Sequence, residues 1–199
     1  MTNPRPRRAL RLLQGSATTV HVVALCLAVA VLVIAFVPGA PVTVQLPAHL
    51  FGTPAPLTGT LPGAALDPAG QLAFTLADPT PVQRLLQAAI IVPDLLVVAE
   101  VARRLAGLLR SAREHDPFTA QTVRRLTTVA KIAALGGSAT WLLGVVAAWG
   151  LASTVVDPWV PVQPTGGLLG WLAVGLVIAG FAQLVDRGVD LRSELDTVI

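Results

Sequence analysis

Charged side chains are scarce in this chain: they make up 13% of its 199 residues, too few to build the surface of a soluble domain. Cysteine occurs once, as Cys26, which excludes an intramolecular disulfide and a cysteine-rich metal site and leaves the redox compartment open. Lysine also occurs once, at Lys131, against thirteen arginines. The motifs of common chemistries are missing too. There is no His-Glu-x-x-His, no glycine-rich phosphate loop after a strand, and no nucleophile with a paired base. No catalytic, cofactor-binding or metal-ligating residues are therefore assigned, and a non-enzymatic protein is expected.

What is present is apolar: 54% of the residues are hydrophobic and the mean hydropathy is +0.72. Of the fourteen basic residues, all but Arg84 fall into three clusters, namely Arg5 to Arg11, Arg103 to Lys131, and Arg187 with Arg192. Short cytoplasmic loops retain Lys and Arg, so four spans with both termini in the cytoplasm satisfy this pattern. The lipid bilayer explains the arginines without direct nucleic-acid binding. The spans read as about 20–37, 85–102, 132–151 and 167–185, in a single integral membrane domain over 1–199. An extracytoplasmic loop at 38–81, a cytoplasmic hairpin at 103–131 and a cytoplasmic tail at 186–199 complete the chain. On this topology His21, His49 and His115 lie at separate places and cannot converge on one ion.

The fold class is all-α, a four-transmembrane-helix bundle with a cytoplasmic helical hairpin extension. Its extracytoplasmic loop holds nine prolines, five glycines and no Lys or Arg, which excludes a long helix there. Within it, 42–46 and 71–77 alternate or carry β-branched residues, with Leu72, Phe74 and Leu76 on one face, which suits a short β-ribbon. The first apolar run covers about 27 Å at 1.5 Å per residue and is followed by Pro38 and Pro41, so it reads as an uncleaved span. Arg7 and Arg8 lack the surroundings of a twin-arginine export signal.

The second span holds Asp94 near its centre, beside Pro93. Ten Leu, Ile or Val residues between 85 and 102 contribute roughly 0.3 to 0.6 kcal/mol each against about 3 kcal/mol for a central Asp. Ionisable residues at that depth are functional candidates. Ser138 and Thr140 on the third span, and Cys26 on the first, lie at similar depth and offer hydrogen-bonded packing as the alternative. Glu100 precedes Arg103 and Arg104 by three and four residues, the spacing of a local ion pair. Arg84 reads as an interfacial anchor. Ala133 with Gly137, Gly144 with Ala148, and Gly166 with Gly170 have the small-xxx-small spacing of closely packed membrane helices, which this Ala- and Gly-rich chain also produces by chance. In the hairpin, the second helix is expected to continue to about Arg113, with Asp116 as N-cap and Pro117 at the first position of the next helix. Val123, Leu126, Val129 and Ala133 then repeat at helical spacing opposite Arg124 and Arg125.

Two segments, DPFTAQTVRRLTTVA at 116–130 and FAQLVDRGVDLRSELDTVI at 181–199, resemble the bacterial membrane family called domain of unknown function 2975. Pro117, Phe118, Thr119, Arg125 and Leu126 match its hairpin pattern, whereas Thr122, Thr127 and Ala130 stand where Asn, Arg and Gly are usual. Gly188, Leu191, Arg192, Glu194 and Asp196 fit its acid-rich end. The resemblance, extended by span number and order to the whole chain, implies a bacterial plasma membrane protein without an established activity. It implies a cytoplasmic partner, a small helix-turn-helix regulator, and does not imply an enzyme. A hairpin-to-tail contact is the expected structure of these motifs. In it the hairpin arginines would meet Asp190, Glu194 and Asp196, Phe118 would be a packing plug and Gly188 would end the fourth helix. Anionic lipid is the other expected counterpart of the arginines. Asp94 carries the alternative function, a small transporter or an ion or proton pathway. Ligand and oligomeric state are not written in the sequence.

Overall fold

The structure is a computed structural model that describes residues 5–47, 71–114, 119–156 and 167–196. In chain order its elements are α1 (Arg5–Phe36), β1 (Val42–Pro47), β2 (Gln71–Leu76), α2 (Pro81–Glu114), α3 (Ala120–Lys131), a π-helical turn (Ile132–Gly136), α4 (Gly137–Ser153) and α5 (Leu168–Asp196). Four helical stretches are long and apolar enough to cross a membrane: Arg11–Phe36, Pro81–Glu114, Ala120–Ser153 and Leu168–Leu191. They overlap the four stretches expected to span, and the chain is an all-α, multi-pass membrane protein. Large apolar side chains point outward along them, Leu169 and Leu176 being 81% and 73% exposed. A bilayer covers such a surface; water does not. At 1.5 Å per residue the 34 residues of α2 reach about 51 Å, well past a hydrocarbon core of about 30 Å.

Two helix ends differ from expectation. Thr119, not Asp116, caps α3: its backbone is extended (φ −130°, ψ 148°) and its side chain accepts from the Thr122 amide. An extended residue at 119 cannot belong to a helix begun at Pro117, and Asp116 and Pro117 themselves lie outside the described residues. Gly188 does not end the fourth helix either, because α5 continues to Asp196. An interior glycine costs a helix only about 1 kcal/mol, and the leucines, arginine and glutamate beyond it are good helix formers.

The chain divides into two compact units, one of Met1–Val29, Pro93–Trp141 and Gly166–Ile199, the other of Ala30–Val92 and Leu142–Thr165. In the first, Val101, Leu108, Val129, Ala130, Ala133 and Ile178 form the core, with Leu126 and Trp171 packed against it. The periodic face read from the sequence is thus the buried face of α3, and Val129 and Ala133 are sealed in. Helix α5 lies close against α3 and the π-turn: a Cβ at Gly175 would stand 2.7 Å from Ala134 Cβ and 3.2 Å from the Ala130 carbonyl. Small residues permit this approach where no hydrophobic force between helices exists. Two polar contacts fasten α1 to α2 in this unit. His21 Nδ1 lies 2.8 Å from the Ala99 carbonyl, which can only accept, so that nitrogen is the donor. Arg113 Nη1 donates to Gln14 Oε1 at 2.7 Å.

The second unit contains the expected ribbon. Strands β1 and β2 pair antiparallel with Val42 opposite Leu76, Val44 opposite Phe74 and Leu46 opposite Leu72. Period-two alternation puts all six on one face. Val42, Val44 and Leu46 are buried with Leu151 and Ala152, against Leu86, Ile90 and Val156. Helix α2 opens on a reciprocal capping box: the Thr80 amide donates to Gln83 Oε1 at 2.8 Å and the Gln83 amide to Thr80 Oγ1 at 3.3 Å. Gln83 is buried, and its Nε2 donates to Thr154 Oγ1 at 2.9 Å. Gly39 comes after α1 with a φ of 77°, the left-handed conformation that glycine adopts without strain. Arg84 donates from Nη1 to the Val37 carbonyl at 2.7 Å, so the anchor expected at the interface caps the end of α1.

Candidate functional site

The polar residue that the topology makes most costly is held by two helices. In the first unit, Thr140 Oγ1 on α4 donates to Asp94 Oδ1 at 2.9 Å, and Trp171 Nε1 on α5 donates to the same oxygen at 2.9 Å. Thr140 Oγ1 also lies 3.0 Å from the Gly137 carbonyl one turn back. Asp94 stands ten residues from Arg84 and nine from Arg103, about 15 and 13.5 Å along the helix. Both donors are uncharged. Oδ2 accepts no hydrogen bond among the described residues. A carboxyl gripped through one oxygen ties α2, α4 and α5 together and leaves the other oxygen to act as an acceptor.

Gly137 completes the arrangement. A Cβ at that position would overlap the Trp171 ring, so only glycine lets the indole lie across α4 and reach Asp94. Gly137 comes directly after the π-turn, where the Ile132 amide is shared by the Thr128 and Val129 carbonyls and the Gly137 amide by those of Ala133 and Ala134. Such turns insert one extra residue into a helix and rotate its C-terminal part about the axis. Ser138, expected beside Asp94, instead donates to the Ala134 carbonyl at 2.6 Å. Cys26 is exposed. Trp171 is the member that the sequence did not reveal, although an indole N–H inside an apolar helix pair needs an acceptor.

Helix α3 of the hairpin meets α5 through apolar faces. Leu126 packs into the core with Val129, Ala130 and Ile178, whereas Arg125 is exposed. Thr119 accepts from the Thr122 amide at 3.2 Å, and the two hydroxyls lie 3.0 Å apart. Four hairpin arginines expected to reach the tail acids are engaged elsewhere. Arg103 grips Glu100 with both Nε and Nη2 at 2.8 Å, and Arg104 Nε reaches it at 2.6 Å, while Arg110 pairs with Glu114 at 3.4 Å. Arg113 holds Gln14. Gly188 lies inside α5, and Leu191 is 63% exposed near its end. Glu194 is exposed, and the Arg192 and Asp196 side chains, like Pro117 and Phe118, lie outside the described residues.

Residues 69–199 match the family model described as protein of unknown function (DUF2975). This chain belongs to the DUF2975 family. The match takes in β2 and α2 to α5, with Asp94, Thr140 and Trp171, and both motif segments. It begins at residue 69, so α1 and β1 lie outside the matched residues. No curated protein and no solved structure matches the chain.

Proposed function

We propose that this DUF2975 protein is a non-enzymatic, four-span protein of the bacterial plasma membrane that docks a cytoplasmic protein at its arginine-rich end. Both termini lie in the cytoplasm in this reading, as the positive-inside rule requires. The observation that carries it is the course of α5, which runs eleven residues past 185, the end of the expected span, to Asp196 and exposes Leu191 on that extension. An apolar side chain displayed on the charged end of a helix offers a partner a contact. The docking surface comprises the hairpin turn at Pro117, Phe118 and Thr119 and the tail bearing Leu191, Arg192, Glu194 and Asp196. A small helix-turn-helix regulator is the partner class that the family resemblance supplies. Crosslinking in native membranes followed by purification tests this. A cytoplasmic protein should be recovered with the wild type and lost with Phe118→Ala and Leu191→Ser; recovery of none in repeated trials refutes the proposal.

A second reading rests on Asp94, whose Oδ2 has no donor among the described residues at mid-span depth. In it the protein is a small transporter or an ion or proton pathway. Reconstituted vesicles decide the matter: flux that is present in the wild type and abolished by Asp94→Asn supports it, and equal flux in the two removes it.

A further inference from the structure

Helix α3 carries Arg124, Arg125 and Lys131 among its twelve residues and no acid. All three are exposed, and the opposite face of the helix is sealed into the core through Val129 and Ala130. They differ from the other hairpin arginines. Arg103, Arg104 and Arg110 have carboxylates within their own helix, and Arg113 has Gln14. Arg124, Arg125 and Lys131 make no ion pair or side-chain hydrogen bond among the described residues, so no described group compensates their charge.

The position of α3 says what compensates it. The helix runs through the π-turn into α4, so Lys131 is the last charged residue before the apolar run of the third span. Arg124 stands seven residues earlier, about 10 Å back along the axis. The polar layer on each side of the hydrocarbon core is about 5 to 7 Å thick, which places Lys131 within it and the two arginines a few ångströms beyond it, within the reach of their long side chains. Long cationic side chains at such positions reach back to the lipid phosphates. Guanidinium forks also match phosphate oxygens in pairs.

We infer that Arg124, Arg125 and Lys131 form a docking face for the headgroups of anionic phospholipids. The occupant is the bilayer itself, because these charges lie at its surface and an acidic protein segment would have to enter the headgroup layer to meet Lys131. The inference does not depend on the cytoplasmic partner, whose surface is the hairpin turn and the tail. It assigns α3 the task of holding that surface at a fixed height above the membrane.

Lipid binding to the purified full chain, counted by native mass spectrometry, tests the inference with phosphatidylglycerol against phosphatidylcholine. The wild type should retain phosphatidylglycerol preferentially, and each of R124Q, R125Q and K131Q should lower that preference by roughly fivefold. The triple variant should abolish it, and R110Q/R113Q, at the same end of the molecule, should leave it within about twofold. The conservative R124K/R125K should preserve most of it. If the triple variant does not fold, the three single variants decide, since each position is exposed. Equal retention of the two lipids by the wild type overturns the inference. So does an equal loss in R110Q/R113Q, which would show general charge attraction. Displacement of phosphatidylglycerol by inorganic phosphate, or a preference that survives R124Q/R125Q/K131Q while an acidic protein is lost on purification, overturns it as well.

Discussion

Asp94 receives both of its hydrogen bonds on one oxygen, and the medium sets the energetics of the two donors. Interhelical hydrogen bonds in membranes contribute about 0.6 kcal/mol on average and up to about 1.7 kcal/mol, less than the roughly 3 kcal/mol that a central Asp costs on insertion. The clasp therefore offsets part of the cost and the apolar residues around it supply the rest. Thr140→Val and Trp171→Phe should each destabilise the fold by about 0.6 to 1.7 kcal/mol, and the double variant should lose more than the sum, because either donor alone still serves the shared acceptor and removing both leaves it unpaired. Reversible unfolding in mixed micelles measures this. Gly137→Ala should cost more than either, since its methyl group meets the Trp171 ring, while Gly170→Ala, with nothing within 4 Å of its added carbon, should be neutral or stabilising by up to about 1 kcal/mol. Equal effects at the two glycines would contradict the close approach at Gly137. Depth along the span was legible in the sequence, and it set Thr140 and Ser138 level with Asp94; of the two, Thr140 donates to it. Residues two apart on a helix point about 200° away from each other, so only one of them can face Asp94, and the sequence does not say which. Trp171 escaped because its reach to Asp94 depends on a glycine in a third helix.

At the scale of elements, the apolar spans and the alternating strands were the most legible parts of the chain. Residues 42–46 and 71–77 fall within a residue of β1 and β2 because period-two alternation has no helical counterpart. Helix ends were less legible. Asp116-Pro117 has the chemistry of a start, and so does Thr119 with Thr122 three residues on; the backbone at 119 decides between them. At the start of α2 the capping box of Thr80 and Gln83 was hidden in a segment whose prolines dominated the reading. Thr80→Ala removes one half of it and should cost about 1 kcal/mol, with Thr80→Ser close to neutral. Hydrogen exchange of the first-turn amides of α2 is the appropriate measurement: faster exchange in the alanine variant alone is expected. The family-like residues at the hairpin and tail split between two tasks that the motif could not distinguish, with Leu126 in the core and Arg125 and Leu191 outside it.

For the molecule as a whole, the distribution of arginine is the strongest single statement in the sequence, and four spanning helices agree with it. Reporters of membrane sidedness fused after Gly59 and after Ile199 should report opposite compartments, the second in the cytoplasm; Gly59 in the cytoplasm would invert the proposed orientation. The single basic residue at the other end, Arg84, would ordinarily weigh against that orientation, yet its guanidinium is occupied by the Val37 carbonyl at the end of α1. The same contact is one of three side-chain hydrogen bonds that hold the first helix to α2 among the described residues, with Gln14 to Arg113 and His21 to the Ala99 carbonyl as the others. Each lies between residues far apart in sequence, and the family match begins only after α1. The first helix thus relies on its own side chains, and not on the connecting loop alone, to hold its place beside the second.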